Sequence, residues 1–171
     1  MPRSFPLLFF ILASTLFAGC AITHPQTAQE FREAVPGATF AKTESFVVDR
    51  SVGDVTRTFQ EMAPKCLNKR IKSTSSGYMH HQVIVTDYNP TVRVTQTRTE
   101  LHLQQDHVQG VMNVSNKPQR GYYLLVADAT PVNKSKTRID MYAPSVGYGN
   151  VNKAIKGWAA GKNVGCPDLT K

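Results

Sequence analysis

Past its first eighteen residues the chain has no apolar run approaching the ~20 residues that a helix needs to cross a bilayer. Acids are scarce as well, with 12 Asp and Glu against 20 Lys and Arg in 171 residues and a formal charge of +8. Too few stand in the core segments to nominate a paired-carboxylate site. The three cysteines form no CxxC pair and no Cys/His cluster, which argues against a structural zinc site. No Gly-x-Ser-x-Gly elbow, His-Glu-x-x-His or phosphate loop ending in Gly-Lys-Ser/Thr occurs. These absences point away from an enzyme and imply neither a metal nor a cofactor.

The N-terminus, by contrast, is distinctive. Met1-Pro2-Arg3 is a short positive start, and Phe5 to Ala18 is almost wholly apolar, interrupted only by Pro6, Ser14 and Thr15. This run is too short for a stable span and matches the apolar stretch of a secretory signal, with small residues at its exit. Residues 1–19 are therefore expected to be removed, leaving a chain of one ordinary domain's size.

The exit itself, Ala18-Gly19-Cys20, resembles the lipobox of bacterial lipoproteins. The resemblance covers only the first 20 residues. Phe17 stands where the family usually has Leu, with Leu16 one step further out. By position, the resemblance implies that Cys20 is lipidated on its thiol and becomes the new N-terminus. It further implies a diacylglyceryl thioether and an N-acyl chain, and several chains anchor a protein stably where one does not. Ala21 follows the cysteine in place of the Asp that favours inner-membrane retention in enteric lipoproteins. The implied location is the periplasmic face of a cell outer membrane.

In such an oxidising compartment the remaining cysteines form an even count, and a Cys66–Cys166 disulfide is expected. It would close a loop of about a hundred residues, worth up to ~4–5 kcal/mol in the chain-entropy model. Residues 20–42 read as the lipidated N-terminus and a flexible tether. Thr27 followed by Glu30 can cap a short helix through Val35, but the segment's thin apolar content favours a leash. Residues 43–171 then form a single α+β domain.

Within it, "ESFVVD" reads as a strand. Ser51 and Asp54 make a capping box for a helix whose stripe is Val52, Val55, Phe59, Met62, Ala63 and Cys66, with Pro64 making the last turn irregular. Strand candidates follow in "YMHHQVIVTDY", "TVRVTQTRTELHL", "VQGVMNV", "GYYLLVADA" and "TRIDMYA". Asn89-Pro90 is a turn signal. The apolar positions switch phase between Val92/Val94 and Leu101/Leu103, which requires a bulge or bend. "NKPQRG" and "PVNKSK" suit hairpin loops. A last helix is expected from a cap at Asn150, with Val151, Ala154, Ile155, Trp158 and Ala159 on its apolar face and Gly161 ending it. The expected architecture is a curved antiparallel sheet of about six strands with two helices on one face, in the order β-α-β5-α. That order is similar to the helix-grip folds of lipid and small-ligand binders.

Candidate chemistry is thin. His80 and His81 are strand neighbours and point to opposite faces, and His102 has no obvious acid to orient its ring. "SVGYGNVNKAIKGW", with Lys153 and Lys156, is the nearest approach to an anion cradle, and a plain connecting loop accounts for it better. Positive charge gathers at Lys65, Lys69, Arg70 and Lys72 after the first helix, and at Lys117, Arg120, Lys134, Lys136 and Arg138 around the hairpins. Lys69, Arg70, Lys72, Lys134, Lys136 and Arg138 are the candidate anion-binding surface, suited to lipid headgroups, an anionic envelope polymer or an acidic protein; no nucleic acid is expected there. Two functions survive. One is a membrane-tethered, non-catalytic interaction module of the cell envelope. The other is a carrier or sensor with an apolar ligand between the sheet and Trp158.

Overall fold

In the computed structural model the described residues are 24–76, 81–110, 116–144 and 147–170. They form an α+β fold: six antiparallel strands in one open sheet, with helices packed on it. In chain order the elements are α1 (Ala28–Ala34), β1 (Ala41–Val48), α2 (Val52–Leu67), β2 (Lys69–Ser76), β3 (His81–Val94), β4 (Thr99–Gln109), β5 (Tyr122–Pro131), β6 (Thr137–Pro144) and α3 (Gly149–Ala159). The strands lie in the order β1-β6-β5-β4-β3-β2. β2 to β6 run as a meander, and β1 closes against β6 from the far side.

The stripe expected for α2 is the one that packs. Val55, Phe59, Ala63, Cys66 and Leu67 are buried on one sheet face. Ser51 accepts from the Asp54 amide, completing the expected cap. Pro64 lies inside this helix, in its last turn, and the buried Cys66 and Leu67 hold that turn down. On the same face, α3 buries Val151, Ala154, Ile155, Trp158 and Ala159. It begins at Gly149 without a side-chain cap, so Asn150 lies in its first turn rather than capping it. Gly161 does end it, at φ +73. The amide of Gly161 donates to Trp158 and that of Lys162 to Gly157, the two hydrogen bonds of a Schellman turn. Arg50 adds a second fastening, donating from Nη1 to the Trp158 and Ala159 carbonyls and from Nη2 to Asp54 O and Thr58 Oγ1.

Asn89-Pro90 is not a turn. Both residues lie inside β3. The ladder between β2 and β3 starts at Lys69↔Tyr88, so from Asn89 onward β3 has a neighbour on one side only. Pro is tolerated on such an edge, where its missing N–H leaves no partner wanting. The phase switch between Val94 and Leu101 is a hairpin turn, closed by the Thr95 amide on Arg98 O. True bulges occur at Val85/Thr86 and Leu103/Gln104.

The leash expected to reach Lys42 does not. Thr27 and Glu30 form the box that caps α1, and β1 starts at Ala41. Phe31 and Val35 pack with Val126, Tyr123 and Tyr142 on the face opposite α2 and α3. Among the described residues there are thus three α-helices, two on one face and a short one on the other.

Candidate functional site

Side chains alternate along a strand with period two. In β4, Leu101 and Leu103 point into the core while Glu100, His102 and Gln104 point to the face that α1 covers. In β5, Ala127 and Ala129 join the core and Val126 and Asp128 face α1. Glu100 and Asp128 are direct cross-strand partners, so two carboxylates stand side by side. Arg32 of α1 comes down between them. Its Nε and Nη2 donate to the two Asp128 oxygens, each at 2.7 Å, and Nη2 also lies 2.9 Å from Glu100 Oε1. Arg98 donates to the same Glu100 oxygen at 2.7 Å. The side chains of Arg32, Glu100 and Asp128 are all about nine-tenths buried.

The electrostatics follow from this arrangement. Burial opposes the charged form of Glu100, but the Arg98 hydrogen bond and the Arg32 charge outweigh it and hold the carboxyl below its ordinary range. Burial likewise opposes the Arg32 charge, and Asp128 more than compensates, raising it. His102 Nε2 lies 3.0 Å from Glu100 Oε2, and its ring meets Tyr123 edge-on. Burial holds its imidazole below the ordinary value, and Glu100 only partly offsets that. The ring is therefore neutral near pH 7, and Nε2–H donates to the carboxylate. Two arginines against two carboxylates leave the cluster neutral overall. Chemically it is a clamp that seals a helix to a sheet, with both carboxylates fully engaged.

The clamp has a testable pH signature. His102 titrates lower in the folded state than its unfolded value of about 6.5, so acidification below about 6.5 lets the unfolded chain take up a proton that the folded one refuses. Stability is therefore complete above about 6.5 and falls as pH drops. Glu100, also depressed, adds a further loss as pH falls through and below about 4.3. Unfolding free energies measured at pH 7 and pH 5 should decline in the wild type and decline less in His102→Gln. Superimposable pH profiles would overturn the assignment.

None of these residues except His102 was singled out from sequence. The available signal was period two: Glu100 and His102 are two apart in one strand, so the orienting acid for His102 was already on its face. Arg32 carried no signal, because its partner Asp128 is 96 residues away.

Cys20 and the leader lie outside the described residues, as does His80. Cys66 and Cys166 are joined, with Cα atoms 5.0 Å apart. Trp158 is buried in the core at 1 % exposure and donates from Nε1 to Gly165 O. Its ring packs in the core with the other apolar residues of α3. The basic residues are split between two places. Lys69, Arg70 and Lys72 lie on β2, at one sheet edge. Arg138 is in β6, and Lys134 and Lys136 are in the hairpin before it. The two groups lie four strands apart, about 19 Å at ~4.8 Å per strand. Arg70 is bidentate to Asp87, Arg138 pairs with Asp140 and Lys136 with Asp49, whereas Lys69, Lys72 and Lys134 have no ion pair among the described residues. Lys156 pairs with Glu44. Among the described residues, no group of three or more His, Cys, Asp or Glu is placed to hold a metal, and no helix is long and apolar enough to cross a membrane.

No protein-family model and no curated protein matches the chain. A crystal structure of an uncharacterized protein from Bacillus thuringiensis is similar over 70% of this chain and 95% of that one, at 11% identity and a TM-score of 0.27. A likeness at that level carries no argument.

Proposed function

We propose that the chain is a lipid-anchored, non-catalytic interaction module of the bacterial cell envelope, held through Cys20 at the periplasmic face of the outer membrane. The observation that carries this reading is how soon the chain is fastened after that cysteine. The His24 ring sits 4.6 Å from that of Tyr122, Gln26 Nε2 donates to Asn116 O, and α1 is then clamped by Arg32. A cysteine four residues before a docked segment suits an anchor whose role is to hold a domain close to a membrane. The engaged carboxylates and the buried Trp158 favour a binding role over catalysis or ligand carriage. Net positive charge favours an anionic envelope polymer or an acidic envelope protein as the partner.

The test is the intact mass of the protein from the membrane fraction, beside a Cys20→Ala variant. The expected result is the mass of residues 20–171 plus lipid, with the variant shed from membranes or left uncleaved. An unmodified Cys20 thiol would overturn the reading.

A further inference from the structure

The two edges of the sheet differ in chemistry. β2 is mostly polar and carries Lys69 and Lys72, residues that discourage pairing with a further strand. β1, at the other edge, carries Phe46, Val47 and Val48 in its second half. Register shows which of its backbone groups are already paired. The Val132 amide donates to Lys136 O where the β5–β6 hairpin closes. Bonded and non-bonded pairs alternate along an antiparallel ladder, so Pro131↔Thr137 is a non-bonded pair. Thr137, Ile139, Met141 and Ala143 therefore turn their backbone groups towards β1, where they meet Val48, Phe46, Glu44 and Lys42. The residues between, Thr43, Ser45 and Val47, turn theirs outward. All three are exposed, and no hydrogen bond occupies those groups among the described residues.

Beside this edge lies a groove of about 460 Å³ between β1 and α3. Phe46, Val48 and Val164 give it apolar lining, and Lys153, Lys156 and Lys162 line it without any acid. Glu44 answers Lys156, whereas Lys153 and Lys162 are exposed and have no ion pair among the described residues. A strand added here would gain main-chain hydrogen bonds and alternate its side chains between two faces. On one face they meet the lysines; on the other they lie beside Thr43 and the exposed Val47. Acidic residues suit the first and apolar residues the second. A second copy paired antiparallel through β1 would bring the same lysines to one side of the joint sheet, where like charges repel.

We infer that the open edge of β1 takes an extended acidic segment of an envelope protein as a seventh strand, its carboxylates over Lys153 and Lys162. This rests on the interaction-module reading above and adds the partner's chemistry and its docking place. Backbone pairing supplies affinity, and the lysines of α3 select for acid.

The probe is a synthetic octapeptide alternating glutamate and valine, added to the full-length protein, with hydrogen exchange followed by NMR. Binding is expected to weaken as salt rises and to slow exchange at the Thr43, Ser45 and Val47 amides. Lys153→Glu combined with Lys162→Glu, both at exposed sites, should weaken it by about tenfold or more. Thr43→Pro should weaken it too, since it removes an outward N–H and none of the bonds to β6. No binding, or binding that leaves those amides exchanging as before, would overturn the inference. So would a dimer, seen by sedimentation, that Thr43→Pro dissociates and that takes no peptide, because the edge would then belong to a second copy. Intact mass keeps the two readings apart. Lipid on Cys20 without peptide binding overturns the β1 edge and leaves the anchored module standing; an unmodified Cys20 fells the anchor, and protected β1 amides still support the edge.

Discussion

Arg32→Ala is expected to destabilise the protein by about 3–5 kcal/mol, the usual range for removing one partner of a buried ion cluster. The loss is large because Arg32 answers two carboxylates at once. Without it, Asp128 keeps no cationic partner among the described residues and faces Glu100 directly across the strands. Burial that was compensated becomes a penalty, and one of the two carboxyls must take up a proton to remain inside. Chemical denaturation would measure the loss, and hydrogen exchange would locate it at the amides of α1. Arg32→Lys should recover little, since an ammonium cannot reproduce the paired donation to Asp128. Arg32→Met combined with Asp128→Leu should recover much of the stability, because it removes the orphaned charge while leaving Glu100 to Arg98 and His102. A double variant as unstable as Arg32→Ala would show that docking geometry, not charge burial, is what the arginine provides.

Reducing the Cys66–Cys166 bond, or replacing both cysteines with alanine, is expected to cost up to ~4–5 kcal/mol. The bond spans a sequence separation of 100, and the loop-entropy model gives values of that size for such loops. There is a local effect as well. Residues 162–170 form no helix or strand. Apart from Cys166 they are held by Gly165 O on the Trp158 indole, by Leu169 O on Tyr88 Oη, and by Val164 against Gly157. Release of Cys166 should loosen this tail first and expose Trp158, the protein's single tryptophan. A red shift of its emission with reductant, before any global unfolding, is the expected signature. A urea midpoint that reductant does not move would show that these contacts suffice without the bond.

Where the architecture follows from local pattern, it was legible. The α2 stripe, the pairing of Cys66 with Cys166, the Gly161 stop and the α+β meander all rest on spacing or on a residue type with one structural use. Two features were misread because position outweighed local preference. Asn89-Pro90 signals a turn in most settings, but the ladder from β2 stops at Tyr88 and leaves Pro90 on an edge. Residues 28–34 look too polar to pack, with Ala28 and Phe31 the only buried apolar residues of that helix, and the deficit is met by an arginine whose partner lies in β5. The candidate site was the least legible part. Its acids and bases come from α1, β4 and β5, and only the cross-strand register Glu100↔Asp128 brings them together. The basic residues were found from composition, but composition does not tell which of them are already neutralised by Asp87, Asp49 and Asp140.

The pairing of β1 with β6 bears on the order in which the fold can be completed. Ala41 waits for Pro144, Arg32 for Asp128 and Cys66 for Cys166. A chain emerging N-terminus first can form the meander β2 to β5 as it appears, since each of those strands pairs with the next. β1 and α1 have no partner until much later residues arrive, and closing such long loops is slow. Through that interval β1 is a bare strand carrying Phe46, Val47 and Val48, so association with other chains is most dangerous before β6 has been made.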